Sequence, residues 1–200
     1  MVLASCSKTE NQYNLAPEIS YNSELSATFF TEGNSSVPNV NWNGSVGQFG
    51  LKKAVKEVSI DSDTGVISWS KKLSLGNNPI TLLVFNNGGI TSVEINLENE
   101  FEGKFMGTHG FSDPKQVEID FKSDGTSSLI YDGSTSVEEE SSLIENEIKV
   151  RFENEEKIYI IEGLVEYSQD KALIDGTIFI IIQGASKGIR SSLSVELTAP

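Results

Sequence analysis

Few side chains in this sequence could carry covalent or metal chemistry. Its 200 residues include one histidine, His109, and one cysteine, Cys6. A histidine-rich zinc site is therefore excluded, and a Ser-His-Asp relay would have to pass through His109. That residue stands between glycines at the end of a predicted strand, the setting of an ordinary surface or structural histidine. Cys6 sits on a polar tail where no partner can position it as a nucleophile, and a lone cysteine cannot form an intrachain disulfide. Glycine motifs that cradle phosphate are missing. Carboxylates are plentiful, but general acid or base work needs at least one that is desolvated. The run Glu138-Glu139-Glu140 reads instead as a solvated loop. These residues predict a protein that is not an enzyme and uses no cofactor.

The remaining candidates are for binding. Asp61 and Asp63 offer hard oxygens, yet calcium takes about six to eight of them, and after Leu97 the chain reads Glu98-Asn99-Glu100 with no Asp-rich linker. Asp61 is thus read as a turn residue accepting backbone amides, with Asp61 and Asp63 kept only as weak metal candidates. Trp42, beside Asn41, Asn43 and Gly44, could stack on a sugar or could pack at a core or rim. Trp69 shares a face with Ile67 and is expected in the core. Tyr131 and Tyr167, near turns, are the other ligand-contact candidates.

The elements that must hold these residues are β-strands. Apolar positions are mostly Ile, Val, Leu and Phe, which suit pleated, half-buried surfaces. Residues 58–70 are the clearest organiser: Val58 and Ile60 share one face, residues 61–65 reverse the chain, and Ile67 and Trp69 share one face of the return. Strands over 80–86 and 90–97 are joined by Asn86-Asn87-Gly88-Gly89, a hairpin signal, with 73–79 as a connection. Charge density rises near Glu98, and from Phe101 a new antiparallel meander of seven or eight strands begins. In it Asp124-Gly125 predicts a two-residue hairpin turn. Residues 132–145 fit strand and loop, or a short helix capped by Ser136. The predicted organisation is a tail (1–16), a first domain (17–98) and a second (99–200).

Net charge is −14, and residues 99–200 hold 20 acids against nine Lys and Arg. Such a surface repels nucleic acid and anionic lipid. No stretch reaches the roughly 20 apolar residues of a membrane-spanning helix. Two segments are apolar on both strand faces, residues 158–161 and 178–182. A solvated meander should be polar outside, so something is expected to cover that second face: the first domain, a second copy of the chain or a loop, with an interface favoured over a bound apolar ligand.

Three resemblances add to this reading. Leu3-Ala4-Ser5-Cys6, followed by a polar tether, resembles the lipobox of bacterial lipoproteins, which implies lipid attachment at Cys6 and anchorage to the outer membrane or cell surface. Only five residues precede Cys6, without a basic or full apolar leader region, so the export signal is expected to be longer, with Met1 a late or engineered start. Phe49-Gly50-Leu51, Ile60-Asp61, Thr64-Gly65-Val66-Ile67 and Leu82–Phe85 before Asn86-Asn87-Gly88-Gly89 resemble cadherin-like and Ig-like domains of bacterial surface proteins. This implies a seven-stranded sandwich over 17–98. Phe101-x-Gly103-x-Phe105-x-Gly107, Phe121-x-x-Asp124-Gly125-Thr126 and Asp175-Gly176-Thr177-x-Phe179 resemble small lipocalin-like barrels of Gram-negative lipoproteins, although Phe105 stands where lipocalins carry Trp. The fold expected is all-β, an Ig/cadherin-like sandwich followed by a lipocalin-like antiparallel barrel. The function expected is a cell-envelope binding or adhesion module for a glycan, protein or small ligand; the alternative is a structural interaction protein using the apolar strands of the second domain.

Overall fold

The computed structural model describes residues 15–21, 24–110, 113–168 and 170–198. It is all-β, with no helix among the described residues. The first nine strands are β1 (Glu18–Ser20), β2 (Glu24–Thr28), β3 (Gly33–Asn34), β4 (Asn39–Asn41), β5 (Gln48–Leu51), β6 (Val58–Ile60), β7 (Ile67–Trp69), β8 (Gly76–Asn86) and β9 (Gly89–Glu100). They form a sandwich of a four-stranded sheet, ordered β2-β9-β8-β5, and a three-stranded sheet, β3-β7-β6, with β1 and β4 as a separate pair. Strand β8 begins at Gly76, so the predicted connection over 73–79 is strand in its second half.

The chain divides into two compact units. The first comprises Met1–Leu25, Asn34–Ser68 and Pro79–Asn96. Its buried side chains include Phe49, Ile67, Ile80, Leu82, Val84 and Ile95. The β6–β7 reversal is closed by the Asp61 and Val66 backbones, with Asp61 N donating to Val66 O at 2.9 Å. At the Asn87-Gly88 hairpin, Asn86 Oδ1 accepts the amides of Gly88 and Gly89, while its Nδ2 donates to the carbonyls of Leu15, Trp42 and Ser45. One side chain therefore shapes the turn and ties down two loops.

The second unit comprises Ser26–Gly33, Trp69–Asn78 and Leu97–Pro200. Its barrel strands are β10 (Gly103–His109), β11 (Lys115–Phe121), β12 (Ser127–Tyr131), β13 (Ser134–Ile144), β14 (Glu147–Glu153), β15 (Lys157–Tyr167), β16 (Ala172–Ile182) and β17 (Ile189–Leu197). Each pairs antiparallel with the next, and β10 pairs with β17 over Phe105–Thr108, closing an eight-stranded barrel. Period-two alternation sends Phe105, Ile119, Leu129, Phe152, Tyr159, Ile174 and their neighbours inward, where they form one contiguous core. These side chains pack the barrel interior, and the mouths and the outer wall are its solvent-facing parts. At inward positions Gly163 and Gly176 face each other across β15 and β16. A Cβ at Gly176 would lie 2.2 Å from the Glu162 carbonyl oxygen, so only glycine lets the two strands approach so closely there.

Two local expectations change and one ambiguity is resolved. The β11–β12 turn is not a two-residue hairpin: Lys122 N bonds Thr126 O at 2.9 Å, leaving a loop of residues 123–125 with Gly125 at φ 80°. Left-handed Gly as the last residue of such a loop matches strand twist as well as a primed two-residue turn does. Residues 134–144 are strand, the first of the two alternatives, paired with β12 and β14, and Ser136 is buried there and accepts a bond from Asn154 at 3.0 Å. Glu138–Glu140 belongs to that strand rather than to a loop, at a bulge where the β13–β14 register shifts.

Candidate binding site at a barrel mouth

Two segments outside the barrel strands build one of its ends. In Ser26–Gly33 the chain turns sharply, with Thr31 N bonding Thr28 O at 3.1 Å. The turn is anchored by Phe29 N to Glu100 O at 2.9 Å and by Thr28 Oγ1 to Glu102 at 2.7 Å. This aims Phe29, 2% exposed, into the mouth. There its ring lies 5.2 Å from Phe101, 6.5 Å from Phe105 and edge-on to Tyr167 at 5.9 Å. Each such pair adds about 0.5–1.5 kcal/mol beyond simple burial. Phe30, the third residue of the turn, has φ 57°. A side chain with a Cβ in that left-handed region costs about 1–2 kcal/mol, and glycine or asparagine is the usual occupant.

The other segment, Trp69–Asn78, is held by buried amides. Asn99 Nδ2 donates to Leu73 O at 2.8 Å, and Asn78 Nδ2 donates to Ser74 O and Gly76 O at 2.9 Å. It carries Lys71, whose ammonium stands 5.0 Å from the centroid of the Phe30 ring, a cation–π contact.

Between these segments and the barrel rim lies a groove of about 920 Å³, within the roughly 300–1,000 Å³ typical of small-ligand sites. Phe29, Phe30, Phe121 and Leu197 supply its apolar surface; Lys71, Lys104, Lys122, Glu102, Asp120, Asp124 and Asp170 stand around it. Several of these charges are already engaged. Lys104 pairs with Glu118 at 2.6 Å, which holds its ammonium above the usual lysine range. Asp124 accepts from the Thr126 hydroxyl and amide, which hold its carboxyl below the usual range. Both groups stay ionised near neutral pH, so neither can exchange a proton there.

The opposite mouth is built differently. His109, at the end of β10, is buried with Nδ1 2.7 Å from the Tyr131 hydroxyl, and Nε2 bonds Ser191 Oγ. Burial pushes the imidazole down from its ordinary value of 6.5, keeping it neutral at pH 7. Burial also raises the Tyr131 and Tyr159 phenols. Tyr159 lies tilted against Tyr131 at 5.2 Å, and among the described residues its buried hydroxyl has no hydrogen-bond partner within bonding geometry, the Asn154 amide being the polar group beside it.

The residues predicted for binding are scattered. Trp42 is half-buried in the first unit, T-shaped against Phe49 at 5.5 Å. Tyr131 is buried in the histidine knot, and Tyr167 packs on Phe29. Asp61 Oδ1 accepts from Asp63 N at 3.0 Å, Thr64 N at 2.7 Å and Thr64 Oγ1 at 2.9 Å, which is turn capping. The Thr64 and Asp63 bonds lower its pKa. Asp63 is exposed on the same turn, and Cys6 lies outside the described residues. Phe29, Phe30 and Lys71 went unpredicted. The signal was Phe29-Phe30 itself: two adjacent residues cannot share one strand face.

No family model matches the chain, and no curated protein does. Among solved structures it is similar to a candidate α-galactosidase from Bacteroides fragilis NCTC 9343, at 19% identity and TM-score 0.38, covering 45% of this chain and 19% of that one. EC1-2 of human protocadherin-24 is 12% identical with TM-score 0.44, over 90% of this chain and 97% of that one. An endo-fucoidan hydrolase of glycoside hydrolase family 107 is 11% identical with TM-score 0.37, over 96% of this chain and 30% of that one. This chain thus spans about a fifth of the length of the galactosidase structure. At such scores these likenesses say nothing about activity.

Proposed function

We propose that the chain is a non-catalytic binding module of the bacterial cell envelope, lipid-anchored through Cys6, with its ligand held in the groove beside Phe29 and Phe30. The carrying observation is the groove itself: about 920 Å³ with an aromatic surface at the mouth of a barrel whose interior is filled. A packed barrel supplies a rigid frame, and loops and inserted segments at its mouth supply the variable contacts. The test is a thermal-melt screen of glycans, peptides and small organic ligands against the wild-type chain and Thr31→Trp, which fills the groove. A ligand that raises Tm only in the wild-type chain supports the reading; ligands that act equally on both place the site elsewhere. Anchorage is tested separately, by lipid labelling of the exported protein against Cys6→Ser.

A second reading draws on the outer wall. Direct cross-strand partners set Arg151, Ile160, Phe179 and Arg190 in one row across β14 to β17, the only two arginines of the chain flanking an apolar pair. An apolar centre with a charged rim is the anatomy of a subunit interface. A concentration-independent monomer in sedimentation rules out this use between copies.

A further inference from the structure

Resting on the groove as the ligand site, we infer that its ligand is an amphipathic organic anion, with an apolar body against Phe30 and Phe121 and an anionic head at Lys71. Lys71 carries this assignment. Its ammonium stands over the Phe30 ring and has no carboxylate partner among the described residues. Of the other rim charges, Lys104 is paired with Glu118, Glu102 accepts from Thr28 and Asp124 caps its own turn, while Lys122, Asp120 and Asp170 complete the rim. An anion arriving at Lys71 therefore meets a cation that need not break an ion pair to receive it. The apolar side of the ligand is set by Phe30. Its left-handed backbone is unfavourable for any residue with a side chain, and glycine would suit the turn better. The strained conformation keeps this ring beside the groove while its neighbour Phe29 fills the barrel mouth, and that division of labour is what a binding surface requires of adjacent aromatics.

The experiment compares two dyes that share one apolar skeleton, anionic 1-anilinonaphthalene-8-sulfonate and neutral N-phenyl-1-naphthylamine. Fluorescence titrations use the full chain, Lys71→Glu, Phe30→Gly and Phe30→Asn, with melting curves confirming each fold. The expected result is that the anionic dye binds more tightly than the neutral one, that Lys71→Glu weakens the anion at least tenfold and the neutral dye less than twofold, and that both Phe30 variants weaken both dyes. Asparagine tolerates the left-handed turn and keeps the test valid where glycine perturbs folding. Equal binding of both dyes to wild-type and Lys71→Glu, with loss in the Phe30 variants, overturns the anion assignment and leaves the groove standing. Binding unchanged by any Phe30 variant, or no binding of either dye, overturns the groove as well.

Discussion

The two mouths of the barrel are closed in opposite ways. At one, a segment from outside the barrel strands inserts Phe29 among Phe101, Phe105 and Tyr167, using shape and apolar area. At the other, strand residues alone make the closure, through the bonds of His109 to Tyr131 and Ser191. The aromatic closure is non-directional and tolerates a neighbouring groove, since rings can shift without losing partners. The polar closure tolerates no gap, because each buried donor or acceptor needs a specific partner. The groove lies beside the first closure, where accommodating a guest costs least.

This contrast can be broken by mutation. The largest effect is expected from Phe29→Ala, about 3–5 kcal/mol by loss of a buried aromatic, read as a fall in the denaturant midpoint. If His109→Ala costs more than Phe29→Ala, the polar mouth is the stronger closure and the contrast reverses. His109→Ala should cost about 1–3 kcal/mol, the range for leaving buried partners unsatisfied.

The histidine knot should also respond to pH. Because burial lowers the His109 pKa below 6.5, the unfolded chain takes up the proton first. Stability is therefore complete above about pH 6.5 and falls as pH drops from there towards the folded value. Asp61, Asp124 and Glu162, whose pKa values lie below 3.8, 3.8 and 4.5, act in a more acidic window. Denaturant unfolding between pH 5 and 7 should show a slope that His109→Gln flattens; an equal slope in both proteins would remove His109 as its source.

Smaller effects sharpen the picture within the polar mouth. Tyr131→Phe strips His109 of a partner and should cost about 1 kcal/mol, whereas Tyr159→Phe removes a hydroxyl that has none and should be neutral or stabilising by about 1 kcal/mol. Opposite signs for two tyrosines in ring contact would fit one engaged and one orphaned hydroxyl. Smallest of all is Phe30→Gly, expected within about 1 kcal/mol of wild type, as relief of left-handed strain offsets the lost contact of a partly buried ring. A large destabilisation there would make Phe30 part of the closure rather than of the groove.

Much of the architecture was legible in residue order. Alternation in Val117-Glu118-Ile119-Asp120-Phe121 and in Ile148-Lys149-Val150-Arg151-Phe152 predicts strands with one buried face, and the structure buries those faces. The Asp61 to Gly65 reversal and the Asn87-Gly88 hairpin follow from turn chemistry that is local to a few residues. The doubly apolar 158–161 and 178–182 were also visible, and the structure explains half of each: Tyr159, Ile161, Ile178 and Ile180 line the core, while Ile158, Ile160, Phe179 and Ile181 face outward, half-buried.

The sequence by itself determined strand identity, turn chemistry, the acidic surface and the scarcity of catalytic residues, because each depends on composition or on neighbours within a few positions. Tertiary structure alone decided the closure of the barrel, which needs β10 and β17 to pair across some ninety residues. It decided the bonding of His109 to Ser191, 82 residues away, and the packing of Phe29 against Phe101 and Tyr167. Alternation states which face of a strand is apolar. It does not say which distant segment will fill the end of the barrel, and the groove exists only because that filling is done by Phe29 while Phe30 is turned aside.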